Sequence, residues 1–245
     1  MRKRHRHTIY LCLAFVIVGS VELLAATAQP LFQDMHFRKG FMLGYPTASK
    51  GRAVEAVLDL DNPANTPVWR LCQWGTKYTL ADAKCAKANY GDLYYENPAK
   101  GVTVGGKDSP NRDLILELRA DVEYGEKARK QGESWPHVLV EQDACKLYPL
   151  DELKEVPFTI HLRLLYCTNR MTQADYNPRL HTGHFQMFFI IKNIDKASDQ
   201  RGNYFWFGVP FFDYRHDIPP AYMAKDAGKS DATGEFIYTV DGKTL

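Results

Sequence analysis

The sequence predicts an all-β fold, an antiparallel two-sheet β-sandwich of jelly-roll type with one or two short helices. Three observations predict it. Several segments alternate apolar and polar residues with period two. Turn-forming groups separate them: Asp61-Asn62-Pro63, Gly105-Gly106, Asn177-Pro178, Asp199-Gln200-Arg201-Gly202 and Pro219-Pro220. Strands and helices do not alternate, as they would in a parallel α/β fold. A closed barrel is the alternative closure for the same strands.

The chain opens on a basic head, Met1-Arg2-Lys3-Arg4-His5-Arg6-His7. An apolar run from Ile9 to Leu24 follows, interrupted only by Gly19, Ser20 and Glu22, and then the small-x-small triplet Ala26-Thr27-Ala28. Those three parts make a secretory signal peptide, with cleavage expected after Ala28. A spanning helix needs about 20 clean apolar residues, and this run is shorter and carries Glu22. The mature chain is therefore expected as a single domain over 29–245, exported to the periplasm or the extracellular space, with no stable membrane insertion after cleavage.

Strands are expected at 54–60, 68–74, 114–119, 137–142, 158–166, 184–191, 203–211 and 235–240. In 158–166, Phe158, Ile160, Leu162, Leu164 and Tyr166 alternate with Thr159, His161, Arg163 and Leu165, as in a half-buried strand. The stretch 203–211 is apolar or aromatic almost throughout, as in a strand covered on both faces. Helices are expected at 80–88, with Thr79 as N-cap and Asp82 completing a capping box, and near 124–130. At the end, Asp241-Gly242 reads as a tight hairpin turn. Only Lys243, Thr244 and Leu245 remain for a return strand, which fits either a short edge strand or a chain lacking further C-terminal strands.

The full chain has 31 Lys and Arg against 29 Asp and Glu. The leader holds four of the cations and one of the anions, leaving 27 against 28, a net charge of −1. The basicity belongs to the leader, and a nucleic-acid partner is not expected. Four cysteines remain after cleavage: Cys72, Cys85, Cys145 and Cys167. An even number in an exported chain suggests two disulfides. The short segment between Cys72 and Cys85 favours that pair, worth about 3 kcal/mol by chain entropy, and leaves Cys145 with Cys167. If 137–142 and 158–166 formed a simple hairpin, Cys145 and Cys167 would lie at opposite ends, out of bonding reach.

No nucleophile elbow, P-loop, dinucleotide fingerprint, zincin motif or EF-hand loop occurs, and no cofactor or metal is expected. Four clusters could carry chemistry. In the first, His137 and Glu141 share one face of a strand as a candidate acid/base pair, with Trp135 and Gln142 beside them; Glu141 pairing with His137 or Arg163 is the structural alternative. The second is His181-Thr182-Gly183-His184-Phe185-Gln186. The third is Asp213-Tyr214-Arg215-His216-Asp217, which can line a site mouth or close a loop with an Asp–Arg pair. The fourth mixes aromatics, amides and cations: Arg70, Gln73, Trp74, Lys77, Tyr78, Tyr90, Tyr94, Tyr95, Asn97 and Lys100. Such a mix suits stacking and hydrogen bonding to a glycan.

The exported, aromatic-rich strand pattern is similar to concanavalin-like jelly rolls. The expectation is a secreted carbohydrate-binding protein with a polysaccharide or glycan ligand contacted by Trp74, Tyr78, Trp135, Gln142, Gln186 and Asp213. The alternatives are a polysaccharide lyase or glycoside hydrolase using His137, Glu141, His181 and Arg215, and an envelope structural or adhesion protein.

Overall fold

The computed structural model describes residues 10–14, 30–110, 113–146, 148–149, 152, 155–228 and 232–244. The described residues are mostly strand, with little helix and no barrel among them, which bears out the all-β class. The strands lie in three sheets, one six-stranded and two four-stranded, and two of the pairings are parallel. The residues cluster into two compact units, a larger one from 7–125 and 135–168 and a smaller one from 126–134 and 169–245.

In the larger unit, β1 (Tyr10–Ala14), β5 (Ala86–Lys87), β6 (Leu93–Asn97), β7 (Lys100–Val104), β8 (Leu114–Leu118) and β10 (His161–Tyr166) form the six-stranded sheet. Its order is β10-β1-β8-β7-β6-β5. Tyr95, Val102, Val104, Leu114 and Leu116 fall in the same register rows and are buried, so alternation defines one core face. The second sheet, β3-β2-β4-β9, is built from β2 (Phe41–Gly44), β3 (Val54–Leu58), β4 (Trp69–Cys72) and β9 (Leu139–Glu141). Its buried row is Phe41, Leu43, Leu58, Trp69 and Leu71. Burying each of these side chains contributes roughly 1.5–3 kcal/mol. Phe37 joins this row, 4.9 Å from the Trp69 ring centroid, although its own φ is 56°. Tyr95 connects the sheets: its hydroxyl accepts the Leu60 N–H and donates to Asp59. Gly40 carries φ +78°, and a Cβ there would lie 2.0 Å from the Leu58 carbonyl oxygen, so only glycine lets β2 and β3 approach.

The smaller unit holds one sheet, β11-β12-β14-β13, from β11 (His184–Lys192), β12 (Tyr204–Asp213), β13 (Tyr222–Lys225) and β14 (Phe236–Thr239). β11 and β12 pair antiparallel over nearly their whole length, whereas β12 and β14 run parallel.

Several expectations change. The segment 80–88 is not a helix. Thr79 Oγ1 accepts the Ala81 N–H as a cap would and donates to Glu55, but the chain makes one turn, Ala83 N–H to the Leu80 carbonyl, before Ala86–Lys87 pair with β6. The second helix, α1 (Ala120–Glu123), ends where 124–130 was to begin. The four cysteines are free thiols, which overturns the expected disulfides. Cys72 is buried in β4 near Arg70 and Glu141, while Cys85 neighbours Tyr95. Cys145 is exposed and its N–H donates to Leu31, whereas Cys167 is buried just past β10. The Asp241-Gly242 turn leads into a 3-10 turn, Gly242–Thr244. Among the described residues, no helix is long and apolar enough to cross a membrane. The cleavage position after Ala28 lies outside the described residues.

Candidate functional site

The second and third sequence clusters meet at one end of the smaller unit's sheet. His184 opens β11 and Asp213 closes β12, and the two are direct register partners. Asp213 organises the group. Arg215 grips it with two nitrogens, Nε to Oδ1 at 2.9 Å and Nη2 to Oδ2 at 2.6 Å. The Arg215 N–H and the Thr182 hydroxyl donate to Oδ1 at 3.0 and 2.8 Å. Burial pushes the Asp213 carboxyl up, but the Arg215 and Thr182 donors and the His184 ring outweigh it and hold it well below the usual carboxylate range. His184 Nε2 lies 3.0 Å from Arg215 Nη2 and 3.1 Å from Asp213 Oδ2. It accepts from the guanidinium when unprotonated there and donates to the carboxylate when protonated. The edge-to-face pair Tyr176 and Tyr214 borders the cluster.

His181 is buried beside them and committed to structure. Its Nδ1 accepts the Asn177 N–H at 2.9 Å and its Nε2 donates to the Arg129 carbonyl at 2.8 Å. With both nitrogens engaged, this neutral tautomer holds a loop and has no lone pair left for a metal. Among the described residues, no three of His, Cys, Asp and Glu converge as a metal site.

The same sheet carries an open aromatic face. Phe205, Phe236 and Lys225 share one register row, and Phe207, Tyr238 and Met223 the next row on the same side. Phe205, Phe236, Tyr238 and Met223 are 37%, 58%, 41% and 76% exposed. The Lys225 ammonium stands 5.9 Å over the Phe236 ring. Along β12 this face lies about 20 Å from Asp213, at roughly 3.3 Å per residue. Gln186 sits in β11 between the two ends, opposite Pro210.

The first and fourth clusters belong to the larger unit. Glu141 pairs with Arg70 across the β4–β9 register at 2.8 Å and lies 3.8 Å from Arg52. Its carboxylate is occupied by cations. His137 precedes β9; its N–H donates to the Trp74 carbonyl at 2.8 Å, and its ring lies edge-on to Trp74. Four residues of extended chain place His137 and Glu141 about 13 Å apart at Cα, too far for one proton-transfer pair. Gln142 uses its amide on the Gln33 backbone, accepting the N–H and donating to the carbonyl. Trp135 is half-buried and Tyr78 is exposed. Arg70, Gln73, Tyr95 and Lys100, grouped in the sequence as suited to glycan contact, are buried. Gln73 bridges the Gly44 carbonyl, Glu55 and Thr79. An open depression near Cys145, lined by Pro30, Gln33, Lys146 and Tyr148, contains none of the predicted acid/base residues.

Sequence reasoning missed the aromatic face. β13 and β14 are short, and nothing in the sequence marks their pairing beside β12, which puts Met223, Phe236 and Tyr238 on one side. Fold and site together describe an all-β chain with an open aromatic sheet ending in an arginine–aspartate–histidine cluster. No known family, curated protein or solved structure matches the chain.

Proposed function

We propose that the chain is an exported carbohydrate-binding protein that engages an extended glycan along the smaller unit's sheet. The observation that carries it is the exposed patch of Phe205, Phe236 and Tyr238, formed by β12, which ends at the Asp213–Arg215–His184 cluster, and by its parallel neighbour β14. Aromatic faces stack on the C–H faces of pyranose rings, and Arg and His side chains match hydroxyl or carboxylate groups. A separation of about 20 Å between them suits a polymer better than a monosaccharide. Binding is favoured over catalysis, since Glu141 and Asp213 are tied to arginines and His181 to backbone. Export rests on the basic head, apolar run and small-residue exit of residues 1–28. For the scaffold we propose a two-sheet sandwich of jelly-roll type within the larger unit, supported by the buried rows of its two sheets and the Tyr95 link between them.

A second reading, adhesion through protein contact, is favoured by Met223, a highly exposed aliphatic side chain with no stacking face for a sugar. A polysaccharide panel separates the two. Retention on an affinity gel, with stabilisation of about 2.7 kcal/mol at 100 times the dissociation constant and no new reducing ends, is the expected result. Released products would establish an enzyme, and silence in both channels would favour adhesion.

A further inference from the structure

β1 lies inside the segment that export is proposed to remove, yet it occupies the middle of a sheet. It pairs antiparallel with β8 on one side, from Tyr10↔Glu117 to Leu13↔Leu114, and with β10 on the other, from Tyr10↔Tyr166 to Ala14↔His161. β8 keeps β7 as a second neighbour, but β10 is the sheet edge and β1 is its ladder partner. Removing residues 1–28 therefore deprives β10 of its pairing and strips one side of β8. The rows lost are apolar on both neighbours: Leu116 and Leu164 flank position 11, and Leu114 and Leu162 flank position 13. Leu114 and Leu116 are buried with the strand in place. Because β8 and β10 both run antiparallel to β1, they are parallel to each other and stand two strand spacings apart, about 9.6 Å. Closing that space would require a lateral shift of one spacing, about 4.8 Å, and a switch to parallel pairing.

We propose that the processed chain carries a strand-acceptor slot between β8 and β10, filled by an extended segment of a partner protein with apolar residues at alternate positions. The leader occupies the slot in the precursor and so keeps it shut until export. β1 itself shows what fits: five residues, antiparallel to both walls, completing backbone pairing on two sides at once. This site lies in the larger unit and does not depend on the glycan reading. It does depend on loss of the leader.

The test compares the full chain, with cleavage blocked by Ala28→Pro, and the chain processed after Ala28, using hydrogen exchange at 114–118 and 161–166. The probe is a synthetic peptide of residues 9–16 with Cys12→Ser and two appended lysines. The expected result is protection in the full chain and exchange about tenfold or more faster in the processed chain. The peptide should restore protection, and an L11D/L13D peptide should not. If the processed chain folds only when refolded with the peptide, the slot is equally supported. Protection of both strands without peptide, by closure or self-association, would overturn the proposal. So would exchange that the peptide leaves unchanged, failure to fold with or without it, or an exported chain whose N-terminus is still Met1.

Discussion

Lys100 and Glu123 form an ion pair at 3.0 Å with side chains 0% and 2% exposed, on the core side of the six-stranded sheet. The Lys100 ammonium also donates to the Tyr78 carbonyl, and Glu123 Oε2 accepts the Lys77 N–H at 2.6 Å. Burial pulls the Lys100 ammonium below its ordinary value while Glu123 opposes that shift. A buried pair costs desolvation that its attraction only roughly offsets, but breaking it strands a charge. Lys100→Met or Glu123→Gln alone should each cost about 3–5 kcal/mol in urea unfolding, and the K100M/E123L double variant should recover most of that loss. A double-variant loss as large as either single loss, or equal to their sum, would contradict a coupled pair.

The Asp213 cluster sets an acid limit on the smaller unit. A carboxyl held below its unfolded value of about 3.9 contributes stability that is fully present above that pH and lost as pH falls towards the folded value. Thermal melts should therefore be flat with respect to this group from neutral pH to about 5. They should fall below about 3.9 more steeply in the wild type than in Asp213→Asn. Near neutral pH the variant should be the less stable of the two, since it loses the bidentate Arg215 contact.

Gly208 in β12 faces Phe188 in the register. A Cβ there would lie 2.5 Å from Phe188 Cε1 and 2.7 Å from Thr239 Cγ2. Gly208→Ala should cost about 1–3 kcal/mol through overpacking. Trimming the ring in G208A/F188L should return part of it, as read from the denaturation midpoint.

The cysteines give a chemical check on the corrected disulfides. Burial pushes the Cys72 and Cys167 thiols up to about 12, so neither ionises near neutral pH. In the folded, processed chain with the Cys12→Ser peptide bound, a thiol-specific reagent should label exposed Cys145 first and leave Cys72 and Cys167 unmodified. Unfolding without reductant should yield four labelled thiols by intact mass. Recovery of none would restore the two-disulfide expectation.

Much of the fold was legible where one rule acted alone. Period-two alternation located β8 and β10, and continuous aromatic runs located β11 and β12 to within two or three residues. It failed where the strand is short or its burial is set by tertiary partners. β2 is four residues with no polar alternation, and β7 begins with Lys100-Gly101, which reads as surface until Glu123 supplies its counter-charge. The 80–88 helix signal was locally sound, but Ala86–Lys87 pair with β6 instead of continuing a helix. At the site, the sequence singled out His184 in one cluster and Asp213 with Arg215 in another. Their meeting depends on the β11–β12 register, and the exposed aromatic row depends on a parallel β12–β14 pairing that no local pattern encodes.

Glycan binding by the open aromatic face can be tested directly. Affinity electrophoresis of the processed chain through gels containing each of a panel of soluble polysaccharides would decide it, run beside F236S/Y238S and Arg215→Gln. The expected result is retardation by at least one polysaccharide, lost in F236S/Y238S, weakened about tenfold by Arg215→Gln, and accompanied by no bond cleavage. Undisturbed migration of the folded wild type through every gel, or retardation that survives loss of both rings, would contradict it.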